Sequence, residues 1–275
     1  MHYLQEEYAM SLSVVANYLK LTWDIKKLVL STAMSYRASF LVQVIGMFFN
    51  DSAWMILWYI FFKSFPAVNG WGFNDMIRLY AFGTLVYAFV EFTFDGISEL
   101  SSYIVTGQLD VYLTGPKHVL WSLAVSKSDI SALGDGLLGL MLMLWLYGFA
   151  LLKILWFLCI TTLAAVLLLD FLLIIQSLAF WFGDIEDVAK RVTHMLLGFM
   201  FYPQSVFTGV LKAIMMTVLP AFFMITVPTS LIMKFSWTYF WIFIVSVMLA
   251  SVFAWCFFNA GLKRYESGNL MTTRQ

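Results

Sequence analysis

The chain has 275 residues, 62% of them apolar and 12% charged, with Lys plus Arg matching Asp plus Glu at a formal net charge of zero. Soluble domains run near half apolar and a quarter charged, so this composition excludes an ordinary water-soluble domain and makes a bilayer the natural solvent. The charge balance gives no electrostatic ground for nucleic acid as a partner. Both cysteines, Cys159 and Cys256, lie inside apolar runs away from any histidine. They read as packing residues rather than a disulfide framework or a metal site.

Residues 1–37 form an N-terminal segment in which Asn17, Lys20, Asp24, Lys27 and Ser31 recur at steps of three and four. Leu12, Val15, Leu19, Trp23 and Val29 take the other faces, which predicts a helix lying in the membrane interface. A positively charged topogenic flank is the plainer alternative. No continuous apolar core leads to a small-residue cleavage site, so no secretory signal is expected, and Met10 offers a shorter start.

A span needs roughly 20 apolar residues to cross about 30 Å of hydrocarbon. Six segments within 38–260 meet this: 40–62, 76–97, 130–152, 154–182, 195–219 and 237–260. The fourth, at 1.5 Å per residue, reaches roughly 43 Å and must tilt or project. Lys153 marks a very short link between the third and fourth. Lys20, Lys26, Lys27, Arg37, Lys117, Lys127, Lys190, Arg191, Lys263, Arg264 and Arg274 fall on one side, against Lys63, Arg78, Lys153, Lys212 and Lys234 on the other. The positive-inside rule then puts both termini, including the tail 261–275, in the cytosol of a multi-pass inner (plasma) membrane protein.

Between the second and third spans, residues 97–118 carry an apolar stripe of Ile97, Leu100 and Ile104 with Glu99, Ser102, Tyr103 and Thr106 beside it. Gly107 stands where a left-handed C-cap would end the helix, and 108–114 reads as another short helical turn stopped by Gly115-Pro116. Such a pair of elements suits a groove on a soluble partner. A plain interfacial loop explains it as well. The order Gly107, Leu109, Asp110, Leu113, Pro116 resembles the coupling region of ATP-binding-cassette exporter permeases of the drug and polysaccharide export type. A second resemblance lies in Phe201-Tyr202-Pro203-Gln204-Ser205-Val206-Phe207, then Val218-Leu219-Pro220-Ala221 and Val227-Pro228. The family often places a basic residue just before the first of these prolines; Thr114-Gly115 stand here instead. The resemblance covers nearly the whole chain. It implies two permease chains, identical or related, working with two copies of a nucleotide-binding ATPase subunit that holds ATP and Mg.

Pro203, Pro220 and Pro228 each remove a backbone donor, so 202–234 is expected to break into short re-entrant helices that gate the outer end of a pathway, with Tyr202 at their start. A kinked fifth span followed by an ordinary loop is the alternative. The chain has no Gly-x-x-x-x-Gly-Lys-Ser/Thr phosphate cradle, so it binds no cofactor of its own, and any ATP-driven motion comes from a separate subunit.

Asp51 beside Asn50, Asp135 and Asp170 fall within spans, where a carboxylate costs a few kcal/mol. They are candidates for a pathway, for interhelical hydrogen bonding, or for both. Glu91, Asp95 and Glu99 recur at steps of four as an acidic edge that would attract a cationic substrate or basic residues of a partner, or simply be a solvated helix end. In residues 183–191 acids precede bases, matching a short helix's dipole.

The expected fold is therefore an all-α integral membrane protein: six transmembrane helices, an N-terminal interfacial helix, a cytosolic coupling helix and re-entrant helices between spans five and six. The expected function is the permease subunit of an ABC transporter exporting a hydrophobic or amphiphilic compound. An ion-coupled carrier using the buried carboxylates is the alternative, though no duplicated halves with paired breaks are visible. A lipid-acting membrane enzyme is disfavoured because His2, His118 and His194 are scattered and no metal or nucleophile motif accompanies them.

Overall fold

In hydrocarbon, backbone N–H and C=O groups have only one another as partners, which favours helices. The computed structural model describes residues 12–203, 206–210, 212 and 222–266; its named elements are all helical, with one isolated bridge between Val68 and Trp71. The helices are α1 Leu12–Ser35, α2 Arg37–Ser64, α3 Phe73–Phe94, α4 Leu100–Thr106, α5 Leu109–Leu113, α6 Val119–Ala124, α7 Ala132–Tyr147, α8 Leu151–Ser177, α9 Ala179–Phe182, α10 Glu186–Met200, α11 Val227–Met233 and α12 Trp237–Leu262. A 3-10 turn, Asp95–Glu99, joins α3 to α4, and a π-helical turn, Phe222–Thr226, leads into α11.

Local chemistry explains the breaks. Tyr36 leaves helical geometry at φ −108°, ψ 63°, separating α1 from α2. Gly72 opens α3, its N–H donating to Asp75 Oδ2 at 3.0 Å, while Asp75 also pairs with Arg78 at 2.6 Å. Gly107 closes α4 at φ 75°, the left-handed geometry expected of it from the sequence.

Among the described residues, four stretches are long and apolar enough to cross a membrane: Arg37–Ser64, Phe73–Thr106, Leu151–Phe182 and Trp237–Leu262. They correspond to the first, second, fourth and sixth expected spans. The third is α7, whose 16 residues reach only about 24 Å. The fifth differs more. Helix α10 begins nine residues early, at Glu186, because Glu186 and Asp187 suit a helix's first turn, and it ends at Met200 just before Pro203. The link between α7 and α8 is Gly148 to Ala150, with Lys153 already in the first turn of α8. Pro228 does not break its segment: it sits in the first turn of α11, where no helical N–H is needed. Pro220 lies outside the described residues, as do the first eleven positions and Arg274.

Helix α3 is the axis of the bundle. Met76, Leu79, Ala81, Phe82, Val86 and Val90 are fully buried against α2, α7 and α8. Helix α7 comes close enough through Gly134, where an added Cβ would stand 2.4 Å from Val44 O on α2. Small residues at such crossings let backbones approach where water gives no hydrophobic drive. Helix α8 packs Phe157, Ile160, Ala164 and Leu168 inward and receives α12 on its far side. Cys159 and Cys256 are exposed rather than packed, a correction to the sequence reading: each lies on a helix face turned outward, where an apolar thiol suits lipid.

Candidate functional site

Two regions collect the polar residues of this apolar chain. At one end of the bundle, the turn Asp95–Glu99 with α4, α5 and α6 forms a short layered cap. Ile97, Leu100, Ile104 and Leu109 are buried in the core, so they hold the cap in place rather than present it. Its outward surface is Gln108, Val111, Thr114, Gly115 and Pro116, with Val111 71% exposed. Tyr103 joins α4 to α5 through the ring of Tyr112 at 5.6 Å, and Leu113 packs partly against the core. Asp110 lies beside Tyr265, just after α12; burial first, then the Asp110 charge, push that phenol up to about 12.

Helix α1 is strapped to this cap by three residues at steps of four. The Tyr18 hydroxyl accepts from the His118 N–H at 3.2 Å, and its ring lies under Lys117 Nζ at 5.0 Å. Thr22 Oγ1 accepts from Trp121 Nε1 at 3.2 Å. Lys26, only 6% exposed, donates to Val125 O at 3.0 Å, Lys127 O at 2.8 Å and Ser128 Oγ at 2.8 Å. Burial draws the Lys26 ammonium down to about 8, with Asp95 acting in the opposite direction. His118 stacks on Trp255 of α12 at 5.1 Å, and burial lowers its imidazole below the usual range. The sequence reading placed Lys20 and Lys27 on the polar face of α1 but counted Lys26 only as a topogenic charge. The stripe Tyr18, Thr22, Lys26 was the signal that could have found the strap.

The acidic edge is not a solvated helix end. Glu91 is 7% exposed and hydrogen-bonded to Asp95. Glu99 pairs with Lys127 at 3.1 Å, and the Glu91 carbonyl accepts from the Asp129 N–H at 3.1 Å. Asp129 in turn folds a tight turn just before α7, accepting from Ser131 N–H and Oγ–H at 2.8 Å each.

The second region is a cavity of about 440 Å³ between α2, α3, α7 and α10. Asp51 of α2 and Asp135 of α7, 8% and 2% exposed, line it and hydrogen-bond to each other. Such a bond needs a proton on one partner, so the pair carries at most one negative charge. Apart from the bond between the two carboxyls, no described group hydrogen-bonds to Asp51 Oδ2 or Asp135 Oδ2. Around them stand Met47, Asn50, Trp54, Trp58, Tyr80, Tyr87, His194, Leu197, Gly198, Phe201 and Tyr202. Tyr202, at the end of α10, packs on Trp58 at 5.7 Å, and Phe201 on Tyr80 at 4.8 Å, so the Tyr-Pro motif closes one wall while Pro203 is buried behind it. The sequence reading named Asp51, Asp135 and Tyr202 separately. It did not see that they meet, nor that tryptophans and tyrosines of α2 and α3 surround them, because apolar spans carry many aromatic residues in any case.

Asp170 belongs to neither region. It accepts from Ser251 Oγ at 2.6 Å and ties α8 to α12, the interhelical role weighed for it from the sequence. Pro228 lies buried in α11, away from the cavity lining.

A helical bundle with four long apolar helices, a braced polar cap at one end and a cavity between its helices is an integral membrane protein in class. A family model described as "ABC-2 family transporter protein" matches residues 48–268, most of the chain, and the chain belongs to that family. Neither the curated proteins nor the solved structures returned a match.

Proposed function

We propose that this chain is the permease subunit of an ABC exporter that moves a hydrophobic or amphiphilic compound out of the cell, driven by ATP bound with Mg on a separate nucleotide-binding subunit. In this reading the α4–α6 cap faces the cytosol with both termini, and two permease chains, identical or related, work with two ATPase chains in the inner membrane. The observation that carries it is the form of the cap. Gly107 sets α5 at an angle to α4, Leu109 anchors it, and Gln108, Val111, Thr114 and Pro116 are left outward on a short element braced by α1. A push on that surface reaches α3 directly through Asp95–Glu99 and α8 through the Ser101 N–H, which donates to Gln176 Oε1 at 3.3 Å. Residues 222–233, with Pro228, are read as a re-entrant piece and Tyr202-Pro203 as the turn of a gate. The chain itself performs no catalysis.

The test is purification of the tagged chain in mild detergent from its native membrane, with mass spectrometry of what accompanies it, for wild type and for Asp110→Lys combined with Val111→Glu. An ATPase subunit present with wild type and lost with the variant supports the reading and places the contact. Absence of any ATPase from both samples overturns it. The Asp51–Asp135 pair favours one other reading, an ion-coupled carrier, and transport that persists without any ATPase would select it.

A further inference from the structure

We infer that the cavity between α2, α3, α7 and α10 binds a monovalent organic cation with aromatic or aliphatic bulk, its charge set against the Asp51–Asp135 pair; this names the cargo of the transporter proposed above and rests on that reading. Three observations converge. The two carboxyl groups come from different helices, are more than nine-tenths buried, and line the cavity together, with no described group other than each other and Asn50 to meet their oxygens. Buried polar groups are normally satisfied, and a pair left short in a cavity wall is a place prepared for a ligand. The contrast within the chain is Asp170, whose Oδ2 is already taken by Ser251.

The walls choose the kind of cation. Trp54, Trp58, Tyr80, Tyr87, Phe201 and Tyr202 surround the carboxyls with ring surface, which attracts a diffuse positive charge over its face and packs against its apolar body. A bare inorganic cation wants several oxygen ligands in a tight shell, and here only two carboxyls and the Asn50 amide supply them. A cation stabilises the ionised form of one carboxyl in this buried setting, which neither an anion nor a neutral compound does. Among the described residues no Lys or Arg lines the cavity, and His194, on an exposed part of α10, is the one basic group there. The other titratable groups facing it are the phenols of Tyr80, Tyr87 and Tyr202. The volume of about 440 Å³ lies in the range of small-molecule sites.

Equilibrium dialysis of the full chain in lipid nanodiscs tests this with tetraphenylphosphonium, and with tetraphenylborate as a probe of the same shape and opposite charge, after subtracting uptake by empty nanodiscs. We expect saturable tetraphenylphosphonium binding, no saturable tetraphenylborate binding, and at least tenfold weaker cation binding in the combined Asp51→Asn, Asp135→Asn variant. The conservative Asp51→Glu variant should keep binding within a few fold, and Trp54→Phe should weaken it without touching a carboxyl. Equal binding of both probes, or cation binding unchanged in the Asn variant while it elutes as a folded species, overturns the inference. Because the assay needs no ATPase, a failed co-purification leaves its result standing, and a failed binding result leaves the ATPase partnership standing.

Discussion

The two polar regions of this chain are built on opposite principles. At the α4–α6 end the charged groups meet partners: Lys26 makes three hydrogen bonds, Asp129 accepts two, and Glu99 forms an ion pair with Lys127, while among the described residues the buried Ser101 Oγ has none. In the cavity, two buried carboxyls bond to each other, Asn50 bonds to Asp51, and no other described group meets either Oδ2. A satisfied polar network fixes one arrangement of its helices, whereas an unsatisfied one holds interaction capacity in reserve. The cap is thus suited to carrying force without deforming, and the cavity to gaining a ligand. The same division appears in packing: 67% of the most apolar window of Phe73–Thr106 is buried, against 17% for Arg37–Ser64 and for Trp237–Leu262. The buried axis runs through α3, while α2, which carries Asp51, turns most of its length outward.

The sharpest break of this comparison is at Lys26. Replacing it by Ala leaves Val125 O, Lys127 O and Ser128 Oγ without their donor, and hydrogen bonds to a charged group contribute about 1.5–3 kcal/mol each before compensation by water. We expect α1 to lose about 3 kcal/mol of docking and to become cleavable by trypsin after Lys20 and Lys27 under conditions where wild type is protected. Next comes Gly134→Ala, whose methyl would press on Val44 O; overpacking of this kind costs about 1–3 kcal/mol and should lower the temperature at which detergent-solubilised protein loses its monodisperse peak.

The cavity should answer in the opposite direction. A carboxylate at a helix centre costs about 2.5–3.5 kcal/mol on insertion scales, so Asp51→Asn with Asp135→Asn is expected to stabilise the fold by about 2 kcal/mol in the same heating assay. A loss of similar size would mean that the pair is a structural tie like Asp170–Ser251, and the contrast between the regions would fall. Gly107→Ala is the milder test of the cap. Left-handed geometry costs a residue with a Cβ about 1–2 kcal/mol, and the expected result is weaker ATPase co-purification with the bundle otherwise intact.

Much of the frame was legible because it rests on local chemistry. Continuous apolar runs gave α2, α3, α8 and α12, and Gly107 and Gly115-Pro116 marked the ends of α4 and α5. What was not legible depends on contacts across distance in the chain. The acidic edge looked solvated because a helical wheel contains no neighbour, yet Lys26, more than sixty positions away, faces it. The pairing of Asp51 with Asp135 is equally non-local, and so is the difference between them and Asp170, since nothing near Asp170 in sequence announces Ser251. The short helix read over 183–191 and the start of the fifth span read at 195 prove to be one continuous helix, α10, whose first turn is acidic as a helix start prefers: Glu186 is held below its usual range, first by its bond to Lys190.

The smallest effect expected is also the one that separates charge from geometry at the strap. Lys26 has its proton affinity drawn down to about 8 when α1 is docked, from 10.5 when it is free. Between those values the undocked helix holds more protons than the docked one, so docking gains stability as pH rises through about 8 toward 10.5. Below about 8 both forms are protonated and the full desolvation cost is present. With Cys159 and Cys256 replaced by Ser, a fluorophore on Leu28→Cys, at an exposed face of α1, should therefore become slightly less mobile by anisotropy across that window. The same probe on Lys26→Met should show no such trend. If mobility instead rises with pH in wild type, Asp95 and the three hydrogen bonds of the ammonium together outweigh the cost of burying its charge.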